Sequence, residues 1–177
     1  MTDMKRLDYS LGEHRVTFVS PGLLSEFEKR FRNYVARRAF ALYERSGRPK
    51  GKDWQHWLQA ESDYLFARPK VLESEDRISL FAVIPEKPPR CIQICMASMR
   101  VIIKTTLLHS DPEQSDPTED TQPPEQFLLA HWAKEIEPET ADATLNGSLL
   151  TLTASKVMPR GPRPQTDSGC TMHPVLA

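Results

Sequence analysis

Five histidines and three cysteines carry most of the acid–base, nucleophilic and metal-ligating capacity of this 177-residue chain. His14, His56, His109, His131 and His173 are scattered, and none stands in a spacing that makes a base or a ligand set. The sequence has no H-E-x-x-H, no G-x-S-x-G and no Gly-rich phosphate loop. Cys91 and Cys95 lie in an alternating apolar run. On one strand their Cα atoms would be about 13 Å apart, beyond disulfide reach. Cys-x-x-x-Cys without a second pair is also a weak zinc pattern. These residue types therefore predict free thiols in a reducing compartment, with no enzyme, cofactor or metal.

The other chemically capable set is basic. Residues 1–70 hold 14 Lys and Arg against 9 Asp and Glu, whereas the remainder holds 9 against 15. A positive first part and a negative second part point to two units. Lys29, Arg30, Arg32, Arg37, Arg38, Arg45, Arg48, Lys50 and Lys52 have the charge to contact phosphates. Glu26, Glu28 and Glu44 are interspersed among them, as on a solvated helix face, so nucleic acid is disfavoured as a partner. No apolar run reaches the roughly 20 residues that span a bilayer, and the N-terminus has no signal-peptide core, so a cytoplasmic protein without membrane contact is expected.

The elements that would position these residues change character along the chain. Leu24, Phe27, Phe31, Tyr34, Val35, Ala39 and Leu42 recur at helical steps. The start is set either by Ser20-Pro21 or by a capping box at Ser25, and Ser46-Gly47 followed by Pro49 ends the helix. A second helix begins at Asp53, whose carboxylate is expected to cap it, with Trp57 and Leu58 facing the first helix. The short loop between them predicts an antiparallel hairpin, which is too small to stand alone.

Within this hairpin, Arg38, Ala39, Phe40, Leu42, Tyr43, Gly47, Arg48, Pro49, Gly51, Asp53, His56, Trp57, Leu58, Ala60 and Glu61 closely resemble a bacterial two-helix family of unknown function. The resemblance names a module, not an activity. Physically, Tyr43 and Trp57 read as packing residues, Gly47 and Gly51 as turn residues, and Glu61 as the partner of Arg48 or His56 in a polar cluster.

Beyond residues 67–70, read as a linker, the period falls to two. Ile78, Leu80, Ala82 and Ile84 form one strand, Ile92, Ile94 and Met96 a second, and Met99, Val101 and Ile103 a third. Residues 107–126 are acidic, Pro-rich and nearly free of apolar side chains, so a mobile loop is expected. Phe127, Leu129 and Trp132 resume a strand. Asn146-Gly147 between two alternating runs is a strong hairpin signal, with Leu150 and Leu152 expected to face inward.

This strand order resembles the α-crystallin domain of small heat-shock proteins over residues 73–156. Ala82-Val83-Ile84-Pro85, Ile92-Gln93-Ile94, Arg100-Val101-Ile102-Ile103, Ile136-Glu137-Pro138 and the run Ala143–Thr153 carry the match. The resemblance implies an α+β chain: an N-terminal antiparallel helical hairpin followed by an immunoglobulin-like antiparallel β-sandwich. It divides into an N-terminal arm (1–21), the hairpin (22–68), the sandwich (69–158) and a flexible tail (159–177). It further implies an ATP-independent chaperone of the stress response that binds unfolding client proteins. A non-enzymatic adaptor docking one specific protein partner is the alternative. The client groove would be lined by Ile92, Ile94, Met96, Ala143 and Leu145. The tail lacks the family's Ile-x-Ile anchor, so a homodimer or small oligomer is expected.

Overall fold

The computed structural model describes residues 9–11, 14–84, 89–107 and 125–157. Two short strands, β1 (Tyr9–Leu11) and β2 (His14–Val19), come first, then helix α1 (Leu24–Arg45) and helix α2 (Asp53–Tyr64). Seven strands follow: β3 (Lys70–Glu73), β4 (Arg77–Val83), β5 (Pro89–Ala97), β6 (Arg100–Leu107), β7 (Glu125–His131), β8 (Asp142–Asn146) and β9 (Leu149–Ser155). They make two sheets, ordered β1-β2-β5-β6-β7 and β3-β4-β9-β8. The molecule is a helical hairpin laid on a β-sandwich.

Alternation along the strands explains the core between the sheets. Ile92, Ile94 and Met96 of β5, Val101 and Ile103 of β6, and Leu128 and Ala130 of β7 meet Ile78, Leu80 and Ala82 of β4 and Leu150 and Leu152 of β9. The odd-face residues of the first sheet are buried too. Cys95, Ile102 and Phe127 pack under Leu24, Phe27, Phe31 and Val35 of α1 and Tyr64 of α2. A sheet covered on both faces needs apolar residues on both, and here the hairpin is the second cover.

The local signals resolve in specific ways. Ser20-Pro21 sets the helix entry through a short 3-10 turn at Pro21–Leu23, with the Ser20 hydroxyl accepting from Gly22 N at 3.3 Å. The capping box at Ser25 is unused, since Ser25 is already inside α1. The segment read as a linker ends in a strand, β3, which the sequence period does not show because it spans only four residues. The β8–β9 hairpin pairs Asn146 with Leu149, so Gly147-Ser148 is the two-residue loop. Gly147 has φ 59°, as the first position of a type II′ turn requires. Leu150 and Leu152 are buried and Leu149 is 41% exposed, which is the expected register.

One strand pair is not antiparallel. β2 runs parallel to β5, Val16 beside Ile92 and Phe18 beside Ile94. The expected N-terminal arm is therefore, over residues 14–19, part of the first sheet. The expected mobile loop at 107–126 begins and ends on strands, because Leu107 belongs to β6 and Glu125 and Gln126 to β7. Its middle, like the expected tail with Cys170, lies outside the described residues.

Candidate functional site

The groove expected from sequence draws on β5, which lies between β2 and β6 in the first sheet, and on β8, an edge strand of the second. Ile92, Ile94, Met96 and Ala143 are all buried in the inter-sheet core, and Leu145 packs against its margin. The structure thus brings the five together. It does not leave them open, because β2 occupies the free edge of β5 from Arg15 beside Cys91 to Val19 beside Cys95. Val16 is buried with them, and Phe18, like Leu145, packs against the margin of the same core. Two side chains at i and i+2, both facing the same way on a strand, are what a slot between two sheet edges selects.

Strand β2 is held from the other face as well. Val19 packs among the residues under α1, and the Cys95 thiol donates to the Ser20 carbonyl at 3.2 Å. Burial pushes the Cys95 thiol up to about 11, so it stays protonated and unreactive at neutral pH. Cys91 is likewise outside any disulfide and is half-buried. Among the described residues no group of three or more His, Cys, Asp or Glu has metal-site geometry, and no helix is long and apolar enough to cross a membrane.

A charged network that the sequence pattern concealed fastens the hairpin to the first sheet. Glu125 is buried at the start of β7, with Lys104 Nζ at 3.2 Å and Arg30 Nε at 2.8 Å from its two oxygens. The Tyr34 hydroxyl donates to the same carboxylate at 3.2 Å. Lys104 Nζ also lies 5.0 Å from the centre of the Phe27 ring, a cation–π distance. Tyr34 stacks on Tyr64 with ring centres 5.3 Å apart, and burial raises the pKa of both phenols. Arg100 pairs with Glu28 beyond this cluster.

The hairpin motif is arranged differently from the sequence reading. Gly47 and Gly51 have φ of 81° and 77°, as turn residues, and Arg48 joins them at 57°, a region a non-glycine residue seldom enters. The Arg48 amide closes the turn on the Tyr43 carbonyl at 3.0 Å, placing Pro49 just beyond. Asp53 is the first residue of α2 and not its cap. Lys52 holds the cap position and makes no side-chain bond there, so Asp53 acts only through its charge on the helix terminus.

The face of α2 turned toward α1 also differs. His56, Ala60 and Tyr64 meet α1, with Asp63 taking Arg38 at 2.9 Å. Ala60 is fully buried, and its small side chain lets the two helices approach closely. Trp57 and Leu58 are consequently turned outward, 37% and 45% exposed. Glu61 joins neither Arg48 nor His56. Arg48 pairs with Glu44 at 2.7 Å, and His56 Nε2 lies 3.1 Å from the Ser46 hydroxyl. That hydroxyl donates to the Tyr43 carbonyl, so it accepts from His56 Nε2, while the buried Nδ1 has no partner among the described residues.

Residues 33–65 match the family described as "Protein of unknown function (DUF2934)". A comparison with curated proteins gives no match. Among solved structures, the chain is similar to heat shock protein 16.0 from Schizosaccharomyces pombe, with 18% identity, a TM-score of 0.42, and coverage of 57% of this chain and 96% of that one. It is also similar to a small heat-shock protein from Xylella fastidiosa, with 16% identity, a TM-score of 0.43, and coverage of 56% and 94%. A small heat shock protein from Synechococcus phage S-ShM2 matches at 12% identity and a TM-score of 0.38, covering 62% and 99%.

Proposed function

We propose that this protein is an ATP-independent holdase that binds unfolding polypeptide along the β5–β8 groove, and that β2 holds the place until a client takes it. The observation that carries this reading is the parallel pairing of β2 with β5, with Val16 and Phe18 set against the inter-sheet core. An unfolding chain offers what β2 offers: extended backbone with apolar side chains at alternate positions. Backbone hydrogen bonding to a sheet edge is indifferent to sequence, and shallow apolar slots add only coarse selection. Ile92, Ile94, Met96, Ala143 and Leu145 are the client-facing set in this reading. They become accessible when β2 leaves.

The test is light scattering of a heat-labile client heated with a stoichiometric amount of this protein. The wild type is expected to suppress aggregation. A V16T/F18S variant, which weakens β2 docking without touching β5, is expected to do so from a lower temperature. Melting curves of both proteins show that the sandwich is intact at the assay temperature. No suppression by either protein would overturn the reading.

The closed groove also supports a second reading, a non-enzymatic adaptor that docks one specific partner. Buried Ile92 and Ile94 offer no open surface for many clients while β2 is in place. Recovery of many proteins from heat-stressed extract supports the holdase, and recovery of one supports the adaptor.

A further inference from the structure

Helix α2 is apolar on two faces. One face, His56, Ala60 and Tyr64, is covered by α1. The other carries Trp54, Trp57 and Leu58 at i, i+3 and i+4, a continuous strip on one side of a helix. Trp54 is 69% exposed, so two tryptophans and a leucine lie open on a helix of twelve residues. Isolated exposed apolar residues are ordinary, but a tryptophan-bearing strip in helical register marks a contact surface.

Charge at the two ends of the strip identifies what covers it. At the N-terminal end stand Lys50 and Lys52, both exposed, whose side chains make no ion pair or hydrogen bond among the described residues. Asp53 beside them faces the helix's own positive terminus. At the C-terminal end stands Glu61, also without such a partner, while Asp63 is taken by Arg38. A lipid headgroup layer or a nucleic acid would use the lysines and repel the glutamate. Only a surface with the reverse order satisfies both ends, and the same helix turned antiparallel is such a surface.

We infer that this face is the interface between two copies of the chain, with their α2 helices packed antiparallel about a two-fold axis midway between Trp54 and Leu58. That axis lays Trp54 of one copy on Leu58 of the other and sets Glu61 of each beside Lys50 and Lys52 of its partner. The contact is isologous, so one charge pairing occurs twice. A helix of this length is about 18 Å long and roughly 10 Å wide, well short of the ~800 Å² per partner of a standard interface. The association is therefore expected to be weak and concentration-dependent. It is independent of the client groove, which lies on the sandwich.

Sedimentation velocity of the full chain across about 1–200 µM tests the interface. Wild type is expected to pass from monomer to dimer, and W54K to remain monomeric at least tenfold higher in concentration. The decisive comparison uses K50E/K52E and E61K. Each alone places like charges at both pairings and is expected to weaken association, whereas an equimolar mixture restores opposite charges at both and yields the heterodimer in preference to either homodimer. Circular dichroism melts of each variant show that the fold is retained. Wild type that stays monomeric, or a mixture without heterodimer preference, overturns the inference. So does cosedimentation with phosphatidylserine vesicles or a salt-dependent shift of duplex DNA that is lost in K50E/K52E and kept in E61K.

Discussion

Glu125 sits at the end of a stretch whose composition reads as solvated and mobile, yet it is among the most enclosed charged residues described. Its partners explain the contradiction. Lys104 reaches it diagonally from β6, where Thr106 is the directly paired residue, and Arg30 and Tyr34 come from α1, far away in sequence. No local pattern reveals a charge whose compensation is that distant. Removing one member of a buried pair leaves the other uncompensated, at a cost of about 3 kcal/mol. E125A is expected to lose about that much in urea denaturation, while exposed Glu44, paired only with exposed Arg48, loses less than about 1 kcal/mol as E44A. Cys95 makes a second residue-level prediction. Its raised folded pKa, about 11, means its contribution to stability is complete below the unfolded thiol value and is lost as pH rises through about 11. In a C91S/C170S variant, a thiol reagent at pH 8 is expected to modify Cys95 only on unfolding. Fast modification of the native protein would contradict this.

The strands were legible because their two-residue period is imposed by the sheet itself. Ile78, Leu80, Ile92, Ile94, Val101 and Ile103 all face the interior that their alternation assigned. The β8–β9 register was legible for the same reason, and it can be checked sharply. L150A is expected to cost about 2–5 kcal/mol and L149A under about 0.5 kcal/mol; a reversal of that order would mean a register slip. Helix α1 was legible in both extent and facing, since its expected stripe is the buried one, whereas α2 was legible in extent only. In α2, Trp57 and Leu58 outrank Ala60 in hydrophobicity, so periodicity assigned them to the buried side. Packing favours the small residue where two helices cross, and Ala60 takes the contact. A60L is accordingly expected to overpack the crossing by about 1–3 kcal/mol in thermal or urea melts. The five expected groove residues all belong to the inter-sheet core or border it. Their covering by β2 was not legible, because six residues of mixed character say nothing about which edge they join.

At the level of the whole molecule, the hairpin and the second sheet sandwich the first sheet, and the two cores share its strands. Phe127 faces the helices while Leu128 faces the other sheet, so loosening either layer is felt through β7 by the other. Strand β2 pairs with the rest of the first sheet through β5 alone, apart from its short partner β1. Between β2 and β5 in sequence lie both helices and two strands of the opposite sheet. During synthesis, His14–Val19 therefore emerges long before the strand it pairs with, and closing so wide a loop is slow beside forming a local hairpin. A strand made well before its partner is expected to be among the last to find its seat. Pulse-labelled hydrogen exchange during refolding should show the amides of residues 16–19 gaining protection after those of β8 and β9, giving the nascent chain an interval in which the β5 edge is bare.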